Sequence, residues 1–143
     1  GMIEVPAAAL SIQTFLQKLD FISIGTNDLI QYTLAIDRAD DAVAHLYDPM
    51  HPAILSLLST IIKAANRVGK SVAVCGEIAG DPNLTRILLG MGLKSFSMHP
   101  AHLLTVKQKV LTSNVDELRS ATQKILRTQN PDRIDQLVDA MNT

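Results

Sequence analysis

Four short apolar runs constrain this chain more than any other feature of its sequence. They are Met2 to Val5, Phe21 to Ile24, Ser71 to Cys75 and Ser95 to Met98. Each stops at a polar or glycine-bearing tip, and each is followed by residues at helical spacing. Short, nearly continuous apolar runs are the pattern of strands buried in a parallel sheet. Strands alternating with helices make an α/β fold with a parallel sheet the expected architecture.

The intervening stretches carry their own start and stop signals. Pro6 opens a helix expected to run on through Leu16, and Leu29 to Ile36 reads as a shorter one. A charged loop follows from Asp37 to Asp48. Pro52 starts a long helix in which Leu55, Leu58, Ile62 and Ala65 share a face, and Gly69 stops it. Asp81-Pro82 is an N-cap followed by a first-turn proline, leading into Leu84, Ile87, Leu88 and Met91. A helix over Ala101–Leu111, one capped by Asn114 and one opened by Pro131 complete the chain. Residues 112–143 therefore read as a helical extension within one domain spanning 1–143. Four β/α units make either a small three-layer domain or half of an eight-stranded barrel. The tips favour the barrel, because Glu4, then Asn27 and Asp28, then Cys75 and Glu77, then His99 all fall at strand C-termini. Barrel enzymes build their sites from that one rim.

Composition narrows the function. The 13 basic residues nearly balance the 14 acidic ones, so no broad basic field for nucleic acid is expected. Apolar residues make up 47% of the chain, but no run reaches the length of a membrane span. The single cysteine excludes an intrachain disulfide and a thiolate metal cluster, and fits a reducing compartment. No signal peptide is visible. The chain starts at Gly1 inside an apparent strand, which suggests a piece of a longer protein.

The tip residues each have two readings. Asp28 is either a helix cap or, with Glu4, one of two carboxylates from neighbouring strands for a Mg²⁺. Asn27 is either a turn residue or an amide donor to a phosphoryl oxygen. Arg38 is either solvated or a bidentate anion ligand. Cys75 is either a core thiol or, opened to the rim by Gly76, a proton donor to a carbon acid. His45, His51 and His99 have no compact metal-ligand spacing, and the two followed by proline read as loop and helix-entry positions.

Phe21 to Gln31 with Arg38, and Val74-Cys75-Gly76-Glu77-Ile78-Ala79-Gly80-Asp81, resemble motifs of the phosphoenolpyruvate-utilising enzyme family. The Cys-Gly-Glu-x-Ala-Gly-Asp form and His45 to Pro52 are similar to the branch that phosphorylates a protein histidine for the bacterial phosphotransferase system. They are less similar to the phosphoenolpyruvate synthase and pyruvate, phosphate dikinase branches, which remain the alternative. The resemblance implies the C-terminal half of a (β/α)₈ TIM barrel that binds phosphoenolpyruvate. It implies Glu4 and Asp28 as Mg²⁺ ligands, Asn27 and Arg38 as phosphate contacts, and Cys75 as the residue that protonates the enolate to give pyruvate. The implied partners are an N-terminal domain carrying the phosphorylated histidine and a histidine-containing phosphocarrier protein, in the cytoplasm.

That acceptor domain and the earlier barrel strands lie outside the 143 residues, so this chain alone is expected to be inactive. A half-barrel would also leave sheet edges and an inner face uncovered, which favours self-association. A noncatalytic half-barrel interaction module is the rival reading.

Overall fold

The computed structural model describes all of residues 1–143. Four strands, β1 (Met2–Ile3), β2 (Phe21–Gly25), β3 (Ser71–Cys75) and β4 (Ser95–Ser97), form one parallel sheet in the order β1-β2-β3-β4. The α/β class and the four strands thus agree with the sequence pattern. β1 is shorter than expected. Val5 stays extended as the N-cap residue ahead of Pro6, which opens the next helix.

The strand side chains alternate as the pleat requires. Ile3, Ile22, Ile24, Val72 and Val74 lie on one face and are buried there. Met2, Ser23, Ala73, Cys75, Ser95 and Ser97 occupy the other, and none of these is buried. Sequential parallel order, with crossovers of the usual right hand, would put every connection on one side of the sheet, and the burial of only one face agrees. The result is two layers, so the three-layer sandwich is not the arrangement adopted.

The helix layer is α1 (Pro6–Leu10), α2 (Ile12–Leu16), α3 (Thr26–Leu34), α4 (Pro52–Arg67), α5 (Glu77–Gly80) and α6 (Pro82–Met91), continued by α7 (Leu103–Leu111), α8 (Val115–Ile125) and α9 (Pro131–Asn142). The single helix expected over residues 6–16 is two, because Ser11 leaves helical geometry at φ −99° and ψ 23°. The break lets Ala8 and Ala9 on one piece and Ile12 and Leu16 on the other all reach the core. The core is aliphatic, centred on α4 with Ile54, Leu58, Ile61 and Ile62 against the sheet.

Capping follows the sequence closely. Asp81 accepts from the Asn83 N–H at 2.8 Å, and Asn114 accepts from the Asp116 N–H at 3.1 Å. α4 ends as expected, with Gly69 in the left-handed region at φ 69°. α8 and α9 pack on α6, where the Arg86 Nη1 donates to the Met141 carbonyl at 2.7 Å.

A candidate active site at the strand C-termini

The last rung of the sheet sets the site. Ile3 pairs with Ile24, so Glu4, one residue further, is level with Gly25. Gly25 in turn pairs with Cys75, and Cys75 with Ser97. Gly25 is a close approach: a Cβ there would stand 2.9 Å from the Glu4 Oε2 and 3.0 Å from the Met2 sulfur. The Glu4 carboxylate therefore folds over the end of β2, in space that a side chain would fill.

α3 starts immediately after β2, so Asn27 and Asp28 lie in its first turn rather than in a preceding loop. The N-cap is Gly25, with no side-chain cap, and Asp28 does not serve as one. Neither Asp28 nor Glu4 has a salt-bridge partner anywhere in the chain.

Four side-chain contacts sew the tip of β3 onto the tip of β2. The Thr26 hydroxyl donates to the Cys75 carbonyl at 2.8 Å. The Glu77 N–H donates to the Asn27 Oδ1 at 3.2 Å. The Cys75 thiol donates to the Ile24 carbonyl at 3.3 Å, and the Ser23 hydroxyl donates to the Cys75 sulfur at 3.4 Å. Between Cys75 and Glu77, Gly76 adopts φ 101° and ψ −168°. That region is essentially restricted to glycine.

The loop from residue 37 to residue 50 brings in the remaining groups. Three aspartates order it by accepting from the N–H two residues on: Asp37 from Ala39, Asp40 from Ala42 and Asp48 from Met50. Arg38 reaches Glu77 at 3.6 Å. The Tyr47 phenol lies 3.5 Å from the Asn27 Oδ1 and donates to it. Burial, together with the Glu77 and Asp28 carboxylates, pushes the Tyr47 hydroxyl above its usual pKa, against an opposing pull from Arg38.

A cavity of about 590 Å³ opens beside this network, with Asn27, Cys75, Glu77, Asp81, His99 and His102 in its lining. Of the residues expected from sequence, Asn27 and Cys75 share this cavity. Arg38 joins through Glu77, the Asp28 charge is close enough to Tyr47 to help raise its pKa, and Glu4 stands at the neighbouring strand end over Gly25. His51 and His99 are helix-entry residues, their Nδ1 atoms accepting from Ala53 and Ala101 at 3.2 Å each.

Sequence reasoning missed Ser23, Thr26, Tyr47 and His102. Strand alternation alone would have put Ser23 on the face of Cys75. His102 meets His99 edge-on with ring centroids 6.3 Å apart, three residues along one turn.

No helix is long and apolar enough to cross a membrane. Residues 1–115 match the family model described as PEP-utilising enzyme, PEP-binding domain. Three relatives carry the name phosphoenolpyruvate-protein phosphotransferase. The one from Cupriavidus necator is 61% identical over 92% of this chain. Those from Bacillus subtilis and Haemophilus influenzae are 43% identical over 93% and 41% identical over 96%. The chain spans only 22 to 24% of the length of these relatives. By sequence and by the domain it matches, the chain belongs to the family of phosphoenolpyruvate-utilising enzymes.

Proposed function

We propose that this chain supplies part of the site at which a phosphoenolpyruvate-protein phosphotransferase moves the phosphoryl group of phosphoenolpyruvate to a protein histidine, leaving pyruvate. The observation that carries the reading is the joining of Asn27, Cys75 and the Arg38–Glu77 pair around one cavity rim at the strand C-termini. The fold reading that goes with it is the C-terminal half of a (β/α)₈ barrel. Sequential strand order and a sheet covered on one face support it.

Asn27 and Arg38 are the proposed phosphate contacts, a neutral amide donor beside a guanidinium. Removing one such donor from developing phosphoryl charge costs about 3–4 kcal/mol in the transition state, by analogy with an oxyanion-hole donor. Cys75 is the proposed acid. As the acceptor histidine nitrogen bonds to phosphorus, the P–O bond to the enol oxygen breaks and its electron pair forms the C2 carbonyl, while the C2–C3 double-bond pair takes the thiol proton at C3. The Ser23 hydroxyl stands ready to donate to the sulfur left behind.

Glu4 and Asp28 are the proposed Mg²⁺ ligands. They fit the ion: two carboxylates, no counter-cation in the chain, and a glycine at position 25 that leaves room for one of them. Mg²⁺ sites commonly use one or two carboxylates with substrate phosphate and water completing the set. When bound, the ion neutralises charge on the phosphoryl oxygens.

The acceptor histidine and the phosphocarrier protein that receives the group next are proposed to lie on other protein surfaces, in the cytoplasm. By itself the chain is proposed to bind substrate without turning it over. The bare sheet face, with Met2 53% and Phe21 63% exposed, is proposed to promote self-association. Calorimetric titration tests the site. Phosphoenolpyruvate binding that requires Mg²⁺ and is lost in Asp28→Ala and Glu4→Ala is the expected result. A folded chain with no such binding would overturn the reading for this chain.

A further inference from the structure

The Asn27 amide has one accepting end and one donating end, and its surroundings decide which faces the cavity. The Glu77 N–H is a backbone donor with no acceptor character. The atom 3.2 Å from it must be the amide oxygen. The Tyr47 phenol approaches that same oxygen at 3.5 Å. No group in the chain accepts from the Asn27 Nδ2, and Asn27 lines the cavity. The ring of Tyr47 packs against the aliphatic core, so the ring and the hydroxyl have separable tasks. Three Asx turns hold the loop that carries it.

We propose that Tyr47 is a positioning residue: with the Glu77 N–H it occupies the Asn27 side-chain oxygen, leaving the Asn27 NH₂ as the donor presented to an anionic phosphoryl oxygen in the cavity. The proposal rests on the reading of Asn27 as a phosphate contact. A rotated amide would present its oxygen to the anion and repel it. At 3.5 Å the O–H···O separation is long, so the effect of losing it falls at the low end for a hydrogen bond.

The test uses the full-length protein with Tyr47→Phe, Asn27→Ala and the double variant, reading the KM for phosphoenolpyruvate, kcat and Tm. Phenylalanine keeps the packed ring. Tyr47→Phe is expected to raise KM about two- to fivefold, with kcat at saturation and Tm little changed. Asn27→Ala is expected to raise KM further, and adding Tyr47→Phe to it should cost nothing more. An unchanged KM in Tyr47→Phe, where Asn27→Ala raises it, overturns the role of Tyr47. So do effects that multiply in the double variant, since the two groups would then act independently. An Asn27→Ala variant whose KM and kcat are both unchanged overturns the phosphate contact itself, and the proposal with it.

Discussion

Replacing Gly76 with alanine tests the stitching between the β2 and β3 tips. The residue sits at φ 101° and ψ −168°, where a side chain costs about 1–3 kcal/mol in backbone strain alone. The added Cβ would also stand 2.7 Å from the Thr26 Oγ1 and 2.9 Å from the Asn27 Oδ1. Real Cβ atoms do not come so close, so both side chains must retreat. Their retreat breaks the Thr26 bond to the Cys75 carbonyl and the Glu77 N–H bond to Asn27, at about 1 kcal/mol each. The expected total is about 3–5 kcal/mol. Gly69→Ala is the control, because Gly69 also has positive φ but nothing lies within 4 Å of its Cβ position. It should cost only about 1 kcal/mol. Urea unfolding followed by far-ultraviolet circular dichroism gives both values from midpoint shifts at constant m. Equal losses in the two variants would refute the argument, since the contact with Thr26 and Asn27 would then contribute nothing.

Gly90→Ala should destabilise the packing of α6 on α8 by about 1–3 kcal/mol, because its Cβ would meet the Thr122 hydroxyl and the Leu118 carbonyl. Adding Thr122→Ala should recover part of that loss in the same urea assay, as the Thr122 hydroxyl is buried without a partner. Ala35→Gly should stabilise by about 0.5–1 kcal/mol, since Ala35 ends α3 in the left-handed region at φ 55° and ψ 41°. A midpoint shift to lower urea would contradict it.

Local signals made most of the secondary structure legible. α4, α6 and α9 begin with a proline in the first turn, and β3 runs from Ser71 to Cys75 between two glycine-marked turns. Legibility ended where the outcome depended on tertiary packing. The break at Ser11 follows from where Ala8, Ala9, Ile12 and Leu16 have to point, and no local residue announces it. The motif residues Asn27, Arg38 and Cys75 could be named in advance, but their connections could not. Asn27 meets Glu77 fifty residues away, and that contact exists only because Gly25 pairs with Cys75. Tyr47 lay within the His45 to Pro52 motif but received no role, because a tyrosine in a charged loop carries no periodicity to say what it meets. Its contact with Asn27 depends on the fold of the loop, which the Asx turns order.

Two glycines divide the labour along the last rung. Gly25 leaves room for the Glu4 carboxylate at the end of β1, whereas Gly76 leaves room for Thr26 and Asn27 at the end of β2. A side chain at position 25 would press on the proposed metal side. One at position 76 would press on the amide and, through the Cys75 carbonyl, on the turn that carries the thiol. Cys75 sits between these two spaces, paired with Gly25 and adjoining Gly76. Its thiol is held by Ser23 and Ile24, both on β2, and touches neither Glu4 nor Asn27 through a hydrogen bond. The proposed charge neutralisation, phosphate contact and proton delivery would therefore depend on separate sets of contacts, joined by the register of β2 on β3. That register is pinned from the opposite face by Ile22 on Val72 and Ile24 on Val74. A one-residue slip of β2 would turn Ser23 into the apolar layer and expose Ile22 and Ile24, so the core that stabilises the sheet also fixes which face carries the proposed chemistry.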